Sequence, residues 1–296
     1  MNNNRKAYIY ALMAIACWST IGSAFKISLR YLDFIHLLLF SSVSALLVLF
    51  IIILFQGKSR LLKNLQIKDY VNSAVMGGLN PFLYYLVLLR SYELLPAQEA
   101  GTLNYIWPLV LVLLSIPMLR QKISKWSILA IFISFMGIML ISTHGEIMNL
   151  KFSNPFGVLL ATGSALFWAL FWILNIRDHR EEVTKLFLNF CFGTLYILIT
   201  VLILHSMGKL PFSFDFHGLA GSLYLGIFEM GVTFVLWLNA LKYATTTAKV
   251  SNLIYLSPFI SLFLIHIFVG EKILVSTIAG LAFITAGIIL QQKLRY

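Results

Sequence analysis

Acidic residues are scarce in this chain. Among its 296 residues, 11 are Asp or Glu against 22 Lys or Arg, and residues of both charges together make up 11%. That is too little charge to clothe a soluble domain of this length. There are two cysteines, Cys17 and Cys191, both inside apolar runs. They make neither a disulfide framework nor a metal-ligand spacing. H-E-x-x-H, G-x-S-x-G and Walker loops are all absent, and the histidines are scattered. These absences exclude the common hydrolase, NTPase and metalloenzyme chemistries. No catalytic residue, metal or cofactor is expected, and nothing favours a membrane enzyme or a scaffold. Short alternating strands, the mark of a membrane β-barrel, are missing too.

What is present is apolar surface. Hydrophobic residues make up 60% of the chain, and mean hydropathy is +0.89. Apolar runs near the ~20 residues needed to cross a bilayer recur throughout. They predict an all-α polytopic membrane protein with ten transmembrane helices at 7–28, 34–55, 70–90, 98–119, 126–143, 155–176, 186–206, 217–240, 247–268 and 273–292. The first run is too long for a cleaved signal peptide and reads as an uncleaved helix. The net charge of +11 is not a nucleic-acid footprint, because Lys and Arg sit in short gaps between apolar runs. Sixteen of them fall on the side of the N-terminus and five on the other, with Lys26 inside the first helix. The positive-inside rule then places both termini in the cytoplasm. The expected partners are membrane lipid and a small-molecule solute, in a cell (inner or plasma) membrane. Monomer and homodimer both stay open.

The chain also repeats itself. At an offset of 150, Trp18 meets Trp168, Tyr105 meets Tyr255, Pro108 meets Pro258, Lys122 meets Lys272 and Gly137 meets Gly287. Five helices per repeat is an odd number, so the second copy enters the membrane upside down. The division predicted is 1–148 and 149–296, two inverted five-helix repeats of the kind that meet at a midplane site in secondary transporters.

The fourth span contains Asn104-Tyr105-Ile106-Trp107-Pro108, and the ninth contains Ile254-Tyr255-Leu256-Ser257-Pro258. A proline in a membrane helix frees a carbonyl that a neighbour or a wet cavity must satisfy. Pro108 and Pro258 are therefore candidate hinges. Asn104, Tyr105 and Tyr255 either bond neighbouring helices together or meet a solute. Trp18 and Trp168 lie roughly 16–20 Å into their spans, too deep for an interfacial belt, so they fill gaps or line a cavity. Tyr84 and Trp107 join the same aromatic set. Glu229 is the acidic residue nearest the middle of a span, a functional-site hypothesis by default. Lys26 is expected to snorkel. Glu99 and Lys249 are expected at solvated helix starts, and His205 and His266 near interfaces.

Trp18-Ser19-Thr20, Trp237-Leu238-Asn239-Ala240-Leu241-Lys242-Tyr243, and Ser257-Pro258 followed by Gly270-Glu271-Lys272 resemble the EamA-type transporters of the drug/metabolite transporter superfamily. The likeness covers nearly the whole chain. Asn104-Tyr105-Ile106-Trp107-Pro108, with Ala14-Ile15-Ala16-Cys17-Trp18-Ser19-Thr20, is most similar to the aromatic amino acid exporters of YddG type. The resemblance implies ten helices in two inverted repeats and an aromatic-lined central cavity that maps onto Trp18, Tyr84, Tyr105, Trp107 and Trp168. It implies efflux of amino acids, aromatic or otherwise apolar, by alternating access. Glu229 departs from that pattern and points equally to cationic drugs, polyamines or other metabolites.

Overall fold

A computed structural model describes residues 3–119, 125–146, 154–244 and 252–293. Among these residues there are helices and no strands. In order they are α1 (Asn3–Ser28), α2 (Phe34–Phe55), α3 (Ile67–Gly77), α4 (Tyr84–Leu94), α5 (Ala97–Asn104), α6 (Trp107–Leu119), α7 (Lys125–Ser142), α8 (Pro155–Ile176), α9 (Glu182–Ser206), α10 (Phe216–Tyr224), α11 (Val232–Tyr243), α12 (Leu256–Val269) and α13 (Val275–Lys293). Five stretches are long and apolar enough to cross a membrane: Arg5–Ser28, Phe34–Phe55, Pro155–Asn175, Glu182–Ser206 and Phe216–Tyr243. Shorter apolar helices run Leu129–Ser142, Leu256–Val269 and Val275–Leu290. Large apolar side chains such as Leu47, Phe132, Leu159, Leu202 and Phe263 point outward, the surface a bilayer would cover.

Helix starts carry their own caps. Asp33 accepts from Ile35 and His36 N–H before α2, and Asn154 accepts from Gly157 N–H before α8. Asp215 accepts from His217 and Gly218 N–H before α10. Each supplies an acceptor to N–H groups that have no partner within the helix.

Two helices change pitch midway. α3 runs into α4 through a π-helical stretch, Gly78–Leu83, and α10 into α11 through another, Leu225–Gly231. Pro81, which has no N–H to give, and the extended backbone of Asn80 account for the first. In the second, Thr233 Oγ1 donates to the carbonyl of Phe228, a bond that wraps the widened turn.

The packing is reciprocal between the two ends of the sequence. α1 packs on α11 and α12, whereas α8 packs on α4, α5 and α6. α7 and α13 form their own close pair. A Cβ on Gly137 would lie 2.5 Å from the Gly280 carbonyl oxygen, and one on Gly280 would lie 2.7 Å from that of Gly137. Only glycine lets the two backbones approach so closely, as small residues do at membrane helix interfaces.

The expected fourth span is not one helix. α5 ends at Asn104, and α6 starts at Trp107. Pro108 is thus in the first turn of α6, where its missing N–H costs no helical bond. Pro258 stands likewise in the first turn of α12, after a 3-10 turn at Asn252–Tyr255. The prolines start helices rather than kink them, which corrects the expectation of a proline-broken helix interior.

Candidate functional site

The helix starts at Trp107 and Leu256 open onto one central cavity of about 450 Å³. Its wall draws on α1, α4, α5, α6, α8, α11, α12 and α13, together with Glu229 from the second π stretch. Trp18, Tyr84, Asn104, Tyr105, Trp107, Trp168 and Glu229 all line it, as do Pro108 and Pro258. The side chain of Tyr255 lies outside the described residues. So do Lys122, which the repeat alignment singled out, and Lys249, expected at a solvated helix start.

Trp168 is the centre of the aromatic wall. Its ring centroid lies 4.6 Å from Tyr84, 5.5 Å from Phe234, 5.8 Å from Trp172 and 6.5 Å from Trp107. These are tilted or edge-on arrangements at stacking distance. Trp18 meets Trp237 at 5.4 Å on the opposite wall. Tyr92, which packs on Phe25 at 5.2 Å, closes a third side. Periodicity alone did not single out Trp237 or Tyr92. The signal for Trp237 was the motif beginning at that residue, Phe25 shares the three-to-four spacing of Trp18 and Gly22 on α1, and Tyr92 had none.

The polar groups of the wall are largely engaged. Asn104 Nδ2 donates to Ser164 Oγ at 2.7 Å, and Tyr84 OH donates to Asn104 Oδ1 at 3.4 Å. Tyr105 OH donates to the carbonyl of Ile254, so the break between α5 and α6 is tied to the turn before α12. Ser19 Oγ reaches Ser257 Oγ at 3.3 Å. Glu229 is 5% exposed. Its Oε1 accepts from Tyr85 OH at 2.9 Å, while its Oε2 has no partner among the described residues.

One end of the cavity is bordered by bonds between distant parts of the chain. Ala97 and Gln98, at the start of α5, line the cavity. Their N–H groups donate to Glu271 Oε1 at 2.8 Å and Oε2 at 3.1 Å. Gln98 Nε2 donates to the Lys272 carbonyl at 2.7 Å, and Leu274 N–H donates back to Gln98 Oε1 at 3.3 Å. Gly270, with φ +82°, ends α12 in the left-handed conformation that glycine tolerates and turns the chain toward α5.

Two expectations change at this end. Lys26 does not snorkel: its Nζ donates to the carbonyls of Tyr92 and Leu95, both at 2.7 Å. It thereby serves the last turn of α4, where carbonyls lack helical partners. Glu99 is buried rather than solvated, at 1% exposure, and its Oε2 lies 3.3 Å from His144 Nε2. His205 and His266 are exposed, and each ring meets a backbone carbonyl, of Leu210 at 3.1 Å and Glu271 at 2.8 Å.

The opposite end carries an ionic network in the turn between α8 and α9. Arg180 holds Asp178 at 2.6 Å and donates to Ser73 Oγ at 2.9 Å, and Lys58 pairs with Glu181 at 2.7 Å. Burial raises the Asp178 carboxyl, but the hydrogen bonds and charge of Arg180, with Lys185 behind them, hold it below the usual range. Burial works the same way on Glu181, and the hydrogen bonds from Lys58 and Thr184 overcome it.

A helical membrane bundle with a wet-sized, aromatic central cavity and no catalytic constellation among the described residues is the form of a multi-pass membrane transporter. The chain belongs to the EamA-like transporter family, whose model matches residues 5–143 and again 155–291. It is similar to an uncharacterised transporter of Acidianus ambivalens, 26% identical over 66% of this chain and 73% of that one. Another uncharacterised transporter, from Archaeoglobus fulgidus, is 22% identical over 98% of this chain and 100% of its own. Protein PecM of Dickeya dadantii is 25% identical over 74% of this chain and 73% of its own. A solved crystal structure shares the fold with a TM-score of 0.67 at 22% identity, covering 97% of this chain and 98% of that one.

Proposed function

We propose that this chain is a secondary transporter of the plasma (inner) membrane that works by alternating access. It exports amino acids with aromatic or other apolar side chains, or related small metabolites of that size. The observation that carries the reading is the central cavity itself, walled by elements from both halves of the sequence, with Pro108 and Pro258 at paired helix starts facing it. The twofold match to the family model and the reciprocal packing of α1 and α8 support two inverted five-helix repeats and ten spans. The excess of Lys and Arg at the end that holds Arg180 and Lys58 supports cytoplasmic termini. In that orientation the Glu271 contact closes the outer side. The two halves would rock about the cavity, with the short breaks at 105–106 and before Leu256 absorbing the change.

The test is efflux of labelled Phe, Trp, Met or Thr from loaded vesicles, wild type against Trp107→Ala. The expected result is efflux by the wild type and a loss of tenfold or more in the variant, about 1.4 kcal/mol. Wild-type vesicles that retain every one of the four compounds would overturn amino acid export and leave the related small metabolites as the solute class. Unchanged efflux in the variant would remove the cavity from the reading.

A further inference from the structure

The cavity has one acidic side chain in its wall and no basic one among the described residues. Among the described residues lining it there is no Lys, Arg or His, and Glu229 is the sole carboxylate. One oxygen of that carboxylate is held by Tyr85 OH. The other is buried without a partner among the described residues. An ionised carboxylate in the middle of a membrane bundle is costly unless a cation or strong donors meet it. The surrounding protein supplies one donor and leaves a second acceptor open.

The rest of the wall suits a cation as well. Tyr85 stands 4.7 Å from Tyr84, which stands 4.6 Å from Trp168, so the carboxylate adjoins a run of aromatic faces. Aromatic faces attract ammonium groups, most strongly where water is excluded. The same wall offers a solute carboxylate no positive side chain among the described residues. The side-chain amides of Gln98 and Asn104 each give one N–H, to the Lys272 carbonyl and to Ser164, and being neutral they do not offset a second carboxylate. A zwitterionic amino acid would thus place its own carboxylate near Glu229 with no positive side chain to receive it, a mismatch that discriminates against it.

We propose that the cavity selects solutes of net positive charge: an apolar or aromatic body carrying an amine without a carboxylate. The ammonium would donate to Glu229 Oε2 while the body lies against Trp168, Trp107 and Tyr84. This rests on the transport reading above and narrows it, within the related metabolites, to amines.

The test uses three compounds with one body and three charges: phenethylamine, Phe and 3-phenylpropionate. Thermal stabilisation of the purified full chain reads binding, and uptake into proteoliposomes reads transport. Phenethylamine is expected to stabilise and to cross. Phe should bind about tenfold more weakly or worse, and 3-phenylpropionate not at all, since tenfold corresponds to about 1.4 kcal/mol. Glu229→Gln should cut phenethylamine binding about tenfold, and Glu229→Asp should retain part of it. The wild-type ranking stands as a test even where a variant fails to fold. Phe binding as tightly as phenethylamine, or amine preference surviving in Glu229→Gln, overturns the proposal and leaves transport standing. Failure of all three compounds, together with retention of the four amino acids above, overturns the proposal and amino acid export together.

Discussion

Glu271 is bonded to the first turn of a helix that precedes it by 174 residues, through Ala97 N–H at 2.8 Å and Gln98 N–H at 3.1 Å. The carboxylate meets the positive end of the α5 dipole as well as two N–H groups that lack helical acceptors. Both oxygens are used, so the bond holds α5 in orientation as well as in place. Hydrogen bonds to a charged group contribute roughly 1.5–3 kcal/mol. Glu271→Ala is expected to lower the melting temperature and to expose the cavity. In a background lacking Cys17 and Cys191, a cysteine placed at Gly101 should react faster with an impermeant maleimide added from outside. Unchanged labelling would mean that the contact does not close that end.

The pair α7 and α13 makes a sharper stability test. Gly280→Leu puts a side chain where Ile141 already stands at 2.4 Å and the Gly137 carbonyl at 2.7 Å. Overpacking of this kind costs about 1–3 kcal/mol or more. Gly163→Ala meets nothing within 4 Å and gains helix propensity. Thermal melts in detergent should show the first variant clearly destabilised and the second unchanged or slightly more stable.

Trp168→Ala removes the ring that touches Tyr84, Trp107, Phe171, Trp172 and Phe234. Such truncations cost roughly 3–5 kcal/mol in a soluble core. In lipid the unfolded tryptophan keeps apolar company, so the lower part of that range is expected. Trp107, half-buried with one such ring contact to Trp168, should cost less. Equal melting temperatures for Trp168→Ala and Trp107→Ala would contradict the central place of Trp168.

The network in the turn between α8 and α9 gives a pH signature with a definite sign. Asp178 and Glu181 have folded-state pKa values below their ordinary ones. Their stabilising contribution is therefore present above about pH 4–4.5, the unfolded values, and fades as pH falls through the folded ones. Asp178→Asn should lower stability at pH 7 and flatten the decline between pH 5 and pH 3. A melting curve series over that range checks it, and parallel declines in variant and parent would refute it.

Much of the bundle was legible because its cause is local. Apolar runs of bilayer length marked α1, α2, α8 and α9 to within a few residues. Trp18 and Trp168 could be placed in the interior by counting residues from the helix ends. The prolines marked the fourth and ninth spans as irregular but read as hinges inside them, since where α5 stops and α6 starts depends on what the turn between them packs against. Tyr85 escaped notice because it is one tyrosine among 13, and only the fold puts it beside Glu229. Glu271 and Ala97 carry no sequence signal for each other. Lys26 read as a snorkelling residue because the two carbonyls it serves belong to α4 and the residue after it, far along the chain.

The π stretch at Leu225–Gly231 gives Glu229 a dependence that distance along the chain does not reveal. A widened turn holds about one residue more than an α-helical turn, and each residue advances an α-helix by about 100°. Removing one residue there would leave hydropathy, length and composition almost untouched. It would nevertheless rotate everything from Val232 to Tyr243 against what precedes it, turning Trp237 off the cavity and Phe234 off Trp168, or Glu229 into lipid. Which chemical groups face the solute is thus a matter of helical phase, set by a single surplus residue.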